Sequence, residues 1–322
     1  MDKTPKVTII VPTFQQHKYV VRAVTSALSQ DYRNLEVVVC DDSRDDQTKE
    51  ALLPILNKNQ RLIYIKNPVQ LGRAANYRNA LYHHASGEWV LTLDGDDYLI
   101  DSSFITDAMN GIQMDREIVW VLGGGEIRQE ESNERSSLLS TRIPHVRSST
   151  NSDIIQGIDY MKWFPYHRGF LHLCALFHRK TALSIDFYRC DLLSSDLESF
   201  MRLALHGKLF LIKRVVGVWW QHSENAGQKA SEDEILYNSR WAISVAMYGI
   251  EHKFLKEKSA STWAKKVINS EAIGVFNREM IKAKMIGKSR KDRLKYTIKF
   301  LKKNPALWYN AIFFKKMLYG LL

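Results

Sequence analysis

SGEWVLTLDGDDYL, residues 86 to 99, is an apolar run that ends in a cluster of three acids. Trp89 to Leu93 has the continuous hydrophobicity of a strand buried on both faces. Asp94, Asp96 and Asp97 follow at its carboxyl end, where open α/β sheets place their ligand crevice. Carboxylates this close repel and raise one another's pKa unless cations neutralise them. Asp-Gly-Asp-Asp is also good turn chemistry, so in isolation a solvated turn is the better reading. The neighbouring segments decide between the two.

Upstream, strands and helices alternate, the pattern of a sheet with parallel strands and helical crossovers. Lys6 to Val11 is a β-branched strand that Pro12 is expected to end. Val20, Val24, Ala27 and Leu28 recur at helical spacing, which predicts an amphipathic helix from Tyr19 to Gln30. Leu35 to Cys40 reads as the second strand, with Asp41, Asp42 and Ser43 at its carboxyl end. Ala51 to Asn57 is expected to be helical, Leu62 to Lys66 a strand, and Gly72 to His84 a helix. Two acidic clusters thus end two separate strands. A turn with Asp-x-Asp presents hard oxygen ligands to Mg2+ or Mn2+ and leaves positions for diphosphate oxygens.

The chain of 322 residues has room for one large domain of about 200 to 250 residues plus an appendage. Hydrophobic residues at 45% and charged residues at 25% are globular values, which excludes a disordered or polytopic membrane chain. The apolar run Val7 to Val11 is too brief for a signal-peptide core, so a cytoplasmic location is expected. Cys40, Cys174 and Cys190 are odd in number and lack paired metal spacing, which leaves little support for a disulfide framework or zinc site.

The net charge of +11 is unevenly placed. Residues 252 to 322 hold 18 bases against four acids, whereas residues 1 to 251 carry a net −3. A catalytic region over 1–227 and a helical, basic region over 228–322 are expected. Ile235 to Ile250 and Trp263 to Ile281 read as helices, and Leu294, Ile298 and Leu301 form an apolar stripe among lysines from Asp292 to Lys303. Ala306 to Leu322 brings Trp308, Tyr309 and Phe313 beside Lys315 and Lys316, too short and charged for a membrane span. This composition suits an interfacial helix on an anionic membrane, or a helix packed on protein or on a second subunit of a homo-oligomer. No nucleic-acid recognition motif accompanies the basic tail, so nucleic acid is not an expected partner.

Five blocks occur in order: VTIIVPTF at 7–14, LEVVVCDDS at 35–43, LGRAANYRNAL at 71–81, SGEWVLTLDGDDYL at 86–99 and SSDLESFMRLALHG at 194–207. VWWQHSENAG at 218–227 is a weaker sixth. Together they resemble glycosyltransferase family 2, an inverting family with the GT-A fold, a Rossmann-like mixed sheet with helices on both faces. The resemblance implies a nucleotide-sugar half over about 1–100 and an acceptor half over about 101–227. Pro12 and Phe14 match the loop lining the base pocket, where Phe14 either stacks on uracil or joins the core. Asp42 matches the acid that accepts from the uracil imide, although Ser43 stands where Gly or Asn is usual. Gly72, Arg73 and Arg78 match the stretch that meets the diphosphate, with Arg78 open to a structural contact instead. Asp94 and Asp96 resemble the Asp-x-Asp pair, Asp96 as direct ligand of Mn2+ or Mg2+ and Asp94 as a metal or nucleotide-sugar contact. His222 matches a histidine that closes on the metal or diphosphate.

Displacement at an anomeric carbon needs a base for the acceptor hydroxyl, and Asp196 in Ser194-Ser195-Asp196-Leu197-Glu198 is the candidate. Serine and aspartate there also suit helix capping. Ser195 replaces the glutamate usual before the base. Trp163, His167 and His172 are candidates for acceptor contacts or buried packing, and residues 126 to 153 read as a long polar loop. The resemblance implies hexosyl or N-acetylhexosaminyl transfer from a UDP-sugar to a glycan or lipid-linked glycan. It also implies work at the inner face of the cell membrane. A noncatalytic nucleotide-sugar scaffold and a nucleic-acid-binding protein are the alternatives.

Overall fold

The computed structural model describes residues 4–131, 135–138, 152–167, 170–225 and 229–310, together with Phe313 and Met317. The chain divides into two compact units, 1–228 and 229–322. In the first, the strands are β1 (Val7–Thr13), β2 (Leu35–Asp41), β3 (Leu62–Lys66), β4 (Trp89–Thr92) and β5 (Tyr98–Leu99). They continue with β6 (Ile118–Gln129), β7 (Arg135–Leu138), β8 (Ser152–Gln156), β9 (Ala175–His178) and β10 (Lys208–Gln221). They form one mixed sheet in the order β3-β2-β1-β4-β9-β6-β10-β5, with β7 on β6 and β8 on β10.

β1 pairs parallel to both β2 and β4, and every residue of β1 and β2 is buried, as their unbroken apolar runs require. β1 continues through Pro12 to Thr13, two residues beyond the expected end at Val11. Pairing with β4 has already stopped at Ile10–Thr92, so the missing Pro12 N–H forfeits no ladder bond. Pro12 still accepts Gly95 N–H through its carbonyl at 3.2 Å.

The helices of this unit are α1 (Val20–Leu28), α2 (Gln47–Leu56), α3 (Arg73–Asn79), α4 (Phe104–Ile112), α5 (Gly157–His167), α6 (Arg179–Ser184) and α7 (Ser195–Leu203). α1 buries Val20, Ala23, Val24, Ala27 and Leu28. α2 begins four residues before the expected Ala51, because its first turn is polar and carries no apolar period. α3 runs into a single π-helical turn, Ala80–His84, so the helix read from Gly72 to His84 is one α segment and one widened turn.

The polar stretch 126–153 is not all loop. β6 extends to Gln129, where it pairs with Gln221 of β10, and β7 returns beside it. A partner 92 positions downstream draws these polar residues into the sheet. Residues 132–134 and 139–151 lie outside the described set.

The second unit holds α8 (Glu232–Asn238), α9 (Trp241–Glu251), α10 (Glu257–Met285) and α11 (Arg290–Lys303). Ser231 and Glu234 form a reciprocal capping box that starts α8. Phe276, Phe300, Leu301, Leu307 and Phe313 form a core, with the Phe276 and Phe313 rings 4.8 Å apart. The stripe expected on α11 splits: Leu301 is buried, whereas Leu294 and Ile298 face water. The buried face is set by Thr297, Phe300 and Leu301, which lie against α10. Phe313, read as part of an interfacial face, is turned into this core. The side chains of Trp308 and Tyr309 are outside the described set. Among the described residues no helix is long and apolar enough to cross a membrane.

Candidate active site

The carboxyl ends of β1, β2 and β4 lie side by side and form the floor of a crevice. Asp42 N–H donates to the Thr13 carbonyl at 2.9 Å, and Gln15 N–H to Ser43 Oγ at 2.8 Å, so the first two loops are tied together. Asp41 turns away: it accepts Ser43 N–H at 3.0 Å and the Tyr64 hydroxyl at 2.8 Å. Asp42 grips the next loop. Its Oδ1 accepts Leu71 N–H and Asn67 Nδ2 at 2.8 Å, and Oδ2 accepts Gly72 N–H at 2.9 Å. Each carboxylate oxygen accepts two bonds, so Oδ2 retains capacity for a ligand donor. Gly72 has φ +89°, a conformation that favours glycine at the start of α3. Phe14 is 42% exposed at the rim, so its ring is not a core side chain.

The Asp94–Asp97 turn is buried and tightly held. A Cβ on Gly95 would lie 2.7 Å from Thr13 Oγ1, so only glycine separates Asp94 from Asp96 without displacing β1. Asp94 Oδ1 accepts the Tyr77 hydroxyl at 2.6 Å. Burial pushes the Asp94 carboxyl up to about 6, against the pull of Arg73. Asp96 Oδ2 accepts His222 Nε2 and Asn225 Nδ2, each at 2.9 Å. Glu224 N–H donates to His222 Nδ1 at 3.3 Å, which assigns the ring proton to Nε2. Asp97 points to the other side, where Oδ1 accepts Trp220 N–H at 2.9 Å and joins the turn to β10. Burial and then the Asp96 charge hold the Asp97 carboxyl well above the usual range. Arg22 lies between the rings of Tyr98 and Trp220, 4.2 and 4.3 Å from their centroids, and donates to the Asp96 carbonyl at 2.9 Å.

Asp196 stands in the first turn of α7, half-exposed, and its charge acts on Arg73, Tyr77, Asp94, His172 and Tyr188. Arg73 donates to the Leu193 carbonyl at 2.7 Å, and its guanidinium lies 5.0 Å from the Tyr77 ring centroid. Burial opposes the Arg73 charge, but Tyr77, Asp94 and Asp196 outweigh it and raise its pKa. His172 Nε2 meets the Tyr188 hydroxyl at 2.6 Å, which also meets Thr92 Oγ1 at 2.9 Å. Burial lowers His172 to about 4, so the ring is neutral. Tyr188 has φ +58°, unusual for a bulky side chain. The fully buried Arg202 braces this segment by donating to the Ile185 and Asp186 carbonyls, and it pairs with Glu198 at 2.7 Å. Glu198, also fully buried, accepts Arg189 Nε at 3.1 Å, so its part is that of an internal counter-ion.

A divalent cation suits this turn. Asp94 and Asp96 offer the hard carboxylate oxygens that such an ion would take, and His222 would join them only by giving up the Nε2 proton that it now donates to Asp96. Among the described residues no group of three or more His, Cys, Asp or Glu side chains is placed to hold a metal ion. Residues 8–182, more than half of the chain, match the family described as Glycosyl transferase family 2.

The chain belongs to glycosyltransferase family 2.

Over 103 residues this family 2 chain is 36% identical to the GalNAc(5)-diNAcBac-PP-undecaprenol beta-1,3-glucosyltransferase of Campylobacter jejuni, covering 32% of this chain and 33% of the relative. Over 94 residues it is 39% identical to the UDP-Glc:alpha-D-GlcNAc-diphosphoundecaprenol beta-1,3-glucosyltransferase WfaP of Escherichia coli, covering 29% and 36%. The matches thus span about a third of the length of these relatives. The S. aureus TarS 1-349 structure in complex with UDP-GlcNAc superposes with a TM-score of 0.63 at 17% identity, covering 85% of this chain and 80% of that one. The mannosyltransferase PcManGT from Pyrobaculum calidifontis, in complex with GDP-Man and Mn2+, gives 0.54 at 17% identity, covering 99% and 86%. This likeness is one of fold, and the fold is GT-A.

In this family 2 chain, Asp42, Gly72, Arg73, Asp94, Asp96, Asp196 and His222 are brought to the crevice and Phe14 to its rim, whereas Pro12 is buried in β1. Arg78 is placed elsewhere: it pairs with Asp186 at 2.6 Å and donates to the Phe187 carbonyl at 3.1 Å. Trp163 is half-buried on α5, and the His167 side chain lies outside the described set. Sequence reasoning missed Tyr77, Arg22 and Asn225. Tyr77 follows Arg73 by one helical turn within a quoted block and was findable by that spacing. Arg22 carries no local signal, because its aromatic partners are 76 and 198 positions away.

Proposed function

We propose that the chain transfers a sugar from a UDP-linked donor to a glycan or lipid-linked glycan acceptor by one metal-assisted displacement that inverts the anomeric centre. The observation that carries this reading is a short chain of contacts: Tyr77 donates to Asp94 beyond the end of β4 at 2.6 Å, and Arg73, over the Tyr77 ring, donates to the Leu193 carbonyl just before α7 and Asp196. A donor site and a base for the acceptor thereby share one crevice. Phe14 stacks on uracil, and Asp42 Oδ2 accepts its imide N–H while holding the Leu71–Gly72 backbone in place. Arg73 offsets diphosphate charge. Asp96 and Asp94, joined by His222 once its Nε2 proton is lost, would hold Mn2+ or Mg2+, and the ion would supply positive charge against the diphosphate. Asp196 removes the proton of the acceptor hydroxyl, and neutral His172 with Tyr188 walls the acceptor side. The printed names of the two bacterial relatives support a lipid-linked acceptor, and one of them supports UDP-glucose as donor type. Such an acceptor supports work at the inner face of the cell membrane.

Two substitutions test the assignment. Asp96→Asn is expected to abolish metal-dependent donor binding, measured by calorimetry with UDP and Mn2+. Asp196→Asn is expected to leave that binding intact while transfer falls by about 10²-fold or more. Wild-type transfer by Asp196→Asn removes that residue as the base. Tight UDP binding with no transfer or hydrolysis of any UDP-sugar favours a scaffold.

A further inference from the structure

Met285 is 81% exposed, more than any other large hydrophobic side chain described, and Ile286 beside it is 69% exposed. Ile281, one helical turn before Met285, is 59% exposed, and Leu294 and Ile298 on α11 are 46% and 45% exposed. Met285 and Ile286 lie at the turn between α10 and α11, Ile281 one helical turn before it, and Leu294 and Ile298 one and two turns into α11. This turn is rigidly built. Gly287 takes φ +69° and donates to the Lys284 carbonyl at 3.0 Å, and Lys288 N–H donates to Ala283 at 2.9 Å. Ser289 then caps α11 by accepting Asp292 N–H at 3.2 Å. The apolar tip is therefore held outward by two helix caps, while the core of the same hairpin is filled by Phe276, Phe300 and Leu301.

The surroundings are strongly basic. Between residues 281 and 299 eight Lys and Arg face a single acid, Asp292, which is spent on the Ser289 cap. Lys291 and Lys295 lie one turn apart beside Leu294 and Ile298 on the exposed side of α11. A second copy of this surface would meet it with like charge. Single-stranded nucleic acid is met by aromatic platforms, whereas the exposed tip here is aliphatic.

We infer that the α10–α11 turn is a docking surface for an anionic lipid bilayer. Met285 and Ile286 enter the headgroup and acyl boundary, and Lys288, Arg290, Lys291 and Lys295 meet lipid phosphates. The inference rests on the membrane-side reading above for its biological sense, but vesicle binding is read without donor or turnover. Its failure leaves the transfer chemistry standing, and failure of transfer leaves vesicle binding standing.

The test is flotation of the full chain with vesicles of phosphatidylcholine, alone or mixed with phosphatidylglycerol. Binding to the mixed vesicles only, weakened by salt, is expected. Lys288→Glu/Lys291→Glu/Lys295→Glu is expected to lower vesicle affinity about 100-fold. Met285→Ser/Ile286→Ser is expected to lower it about tenfold or more and to make the residual binding fully salt-sensitive. All five positions are exposed, so unchanged far-ultraviolet circular dichroism serves as the folding control. Equal binding to neutral vesicles, binding to neither kind, or wild-type binding by either variant overturns the proposal. Displacement from vesicles by random single-stranded RNA points to nucleic acid instead. A dimer on gel filtration that Met285→Ser/Ile286→Ser dissociates points to a second copy.

Discussion

The crevice of the first unit and the helical hairpin of the second treat charge in opposite ways. Asp42, Asp96 and Asp97 are each no more than 5% exposed, and each carboxylate is met by donors from a different part of the chain. The lysines flanking the α10–α11 turn stand in water beside exposed aliphatic side chains. A buried charge requires a fixed partner and so becomes part of the architecture, whereas an exposed charge acts on whatever approaches the surface. The first arrangement suits recognition of one ligand in one pose. The second suits an extended, laterally mobile partner.

Substitutions in the two regions should therefore differ in stability cost. Glu198→Ala leaves the fully buried Arg202 without its carboxylate, and a loss of about 3 to 5 kcal/mol in denaturant unfolding is expected. A loss below about 1 kcal/mol would mean that the pair is not what braces the Tyr188 segment.

An intermediate effect is expected from pH. His172 is lowered by burial to about 4, so its contribution is fully present above its ordinary value near 6.5. That stability is lost as pH falls from about 6.5 toward about 4, where the unfolded chain takes up the proton and the folded one does not. The loss amounts to about 3 kcal/mol at most. His172→Gln should flatten the unfolding midpoint across that window, and an unchanged slope would reassign it to other groups.

The smallest effect belongs to the hairpin. Lys291→Gln and Lys295→Gln should each change stability by less than about 0.5 kcal/mol, since both side chains are exposed. A larger loss would erase the contrast between the two regions.

What was legible in the sequence follows the same division between local and distant. β1 to β4 and the two acidic clusters are encoded in contiguous runs, so Asp42, Asp94 and Asp96 fall at strand ends that pattern alone locates. Asp196 was singled out by its match to the family's base motif, since a polar start before an amphipathic helix reads equally as a helix cap. The link between Tyr77 and Asp94 spans two elements, and that between Arg22 and Trp220 spans most of the unit. No window of sequence contains either. β6 and β10 fared likewise, since polar Glu126 to Gln129 are strand only because β10 pairs with them. In the tail, helical spacing located α11, but whether Leu294 or Leu301 faced inward was settled by Phe276, a residue on another helix.

The donors that meet Asp96 and Asp97 are Trp220, His222 and Asn225, which lie 123 to 129 positions later in the chain. During synthesis β1 to β4 leave the ribosome long before these residues exist. The acidic turn must then stay hydrated, because burying it alone would strand its charges in a poor solvent. β10, the last strand described, inserts between β6 and β5 and brings all three donors together. Closing the charged turn is thus tied to the most non-local pairing in the sheet, the kind that folds slowly. A chain released early would carry the acids without the compensation that lets them sit in the interior.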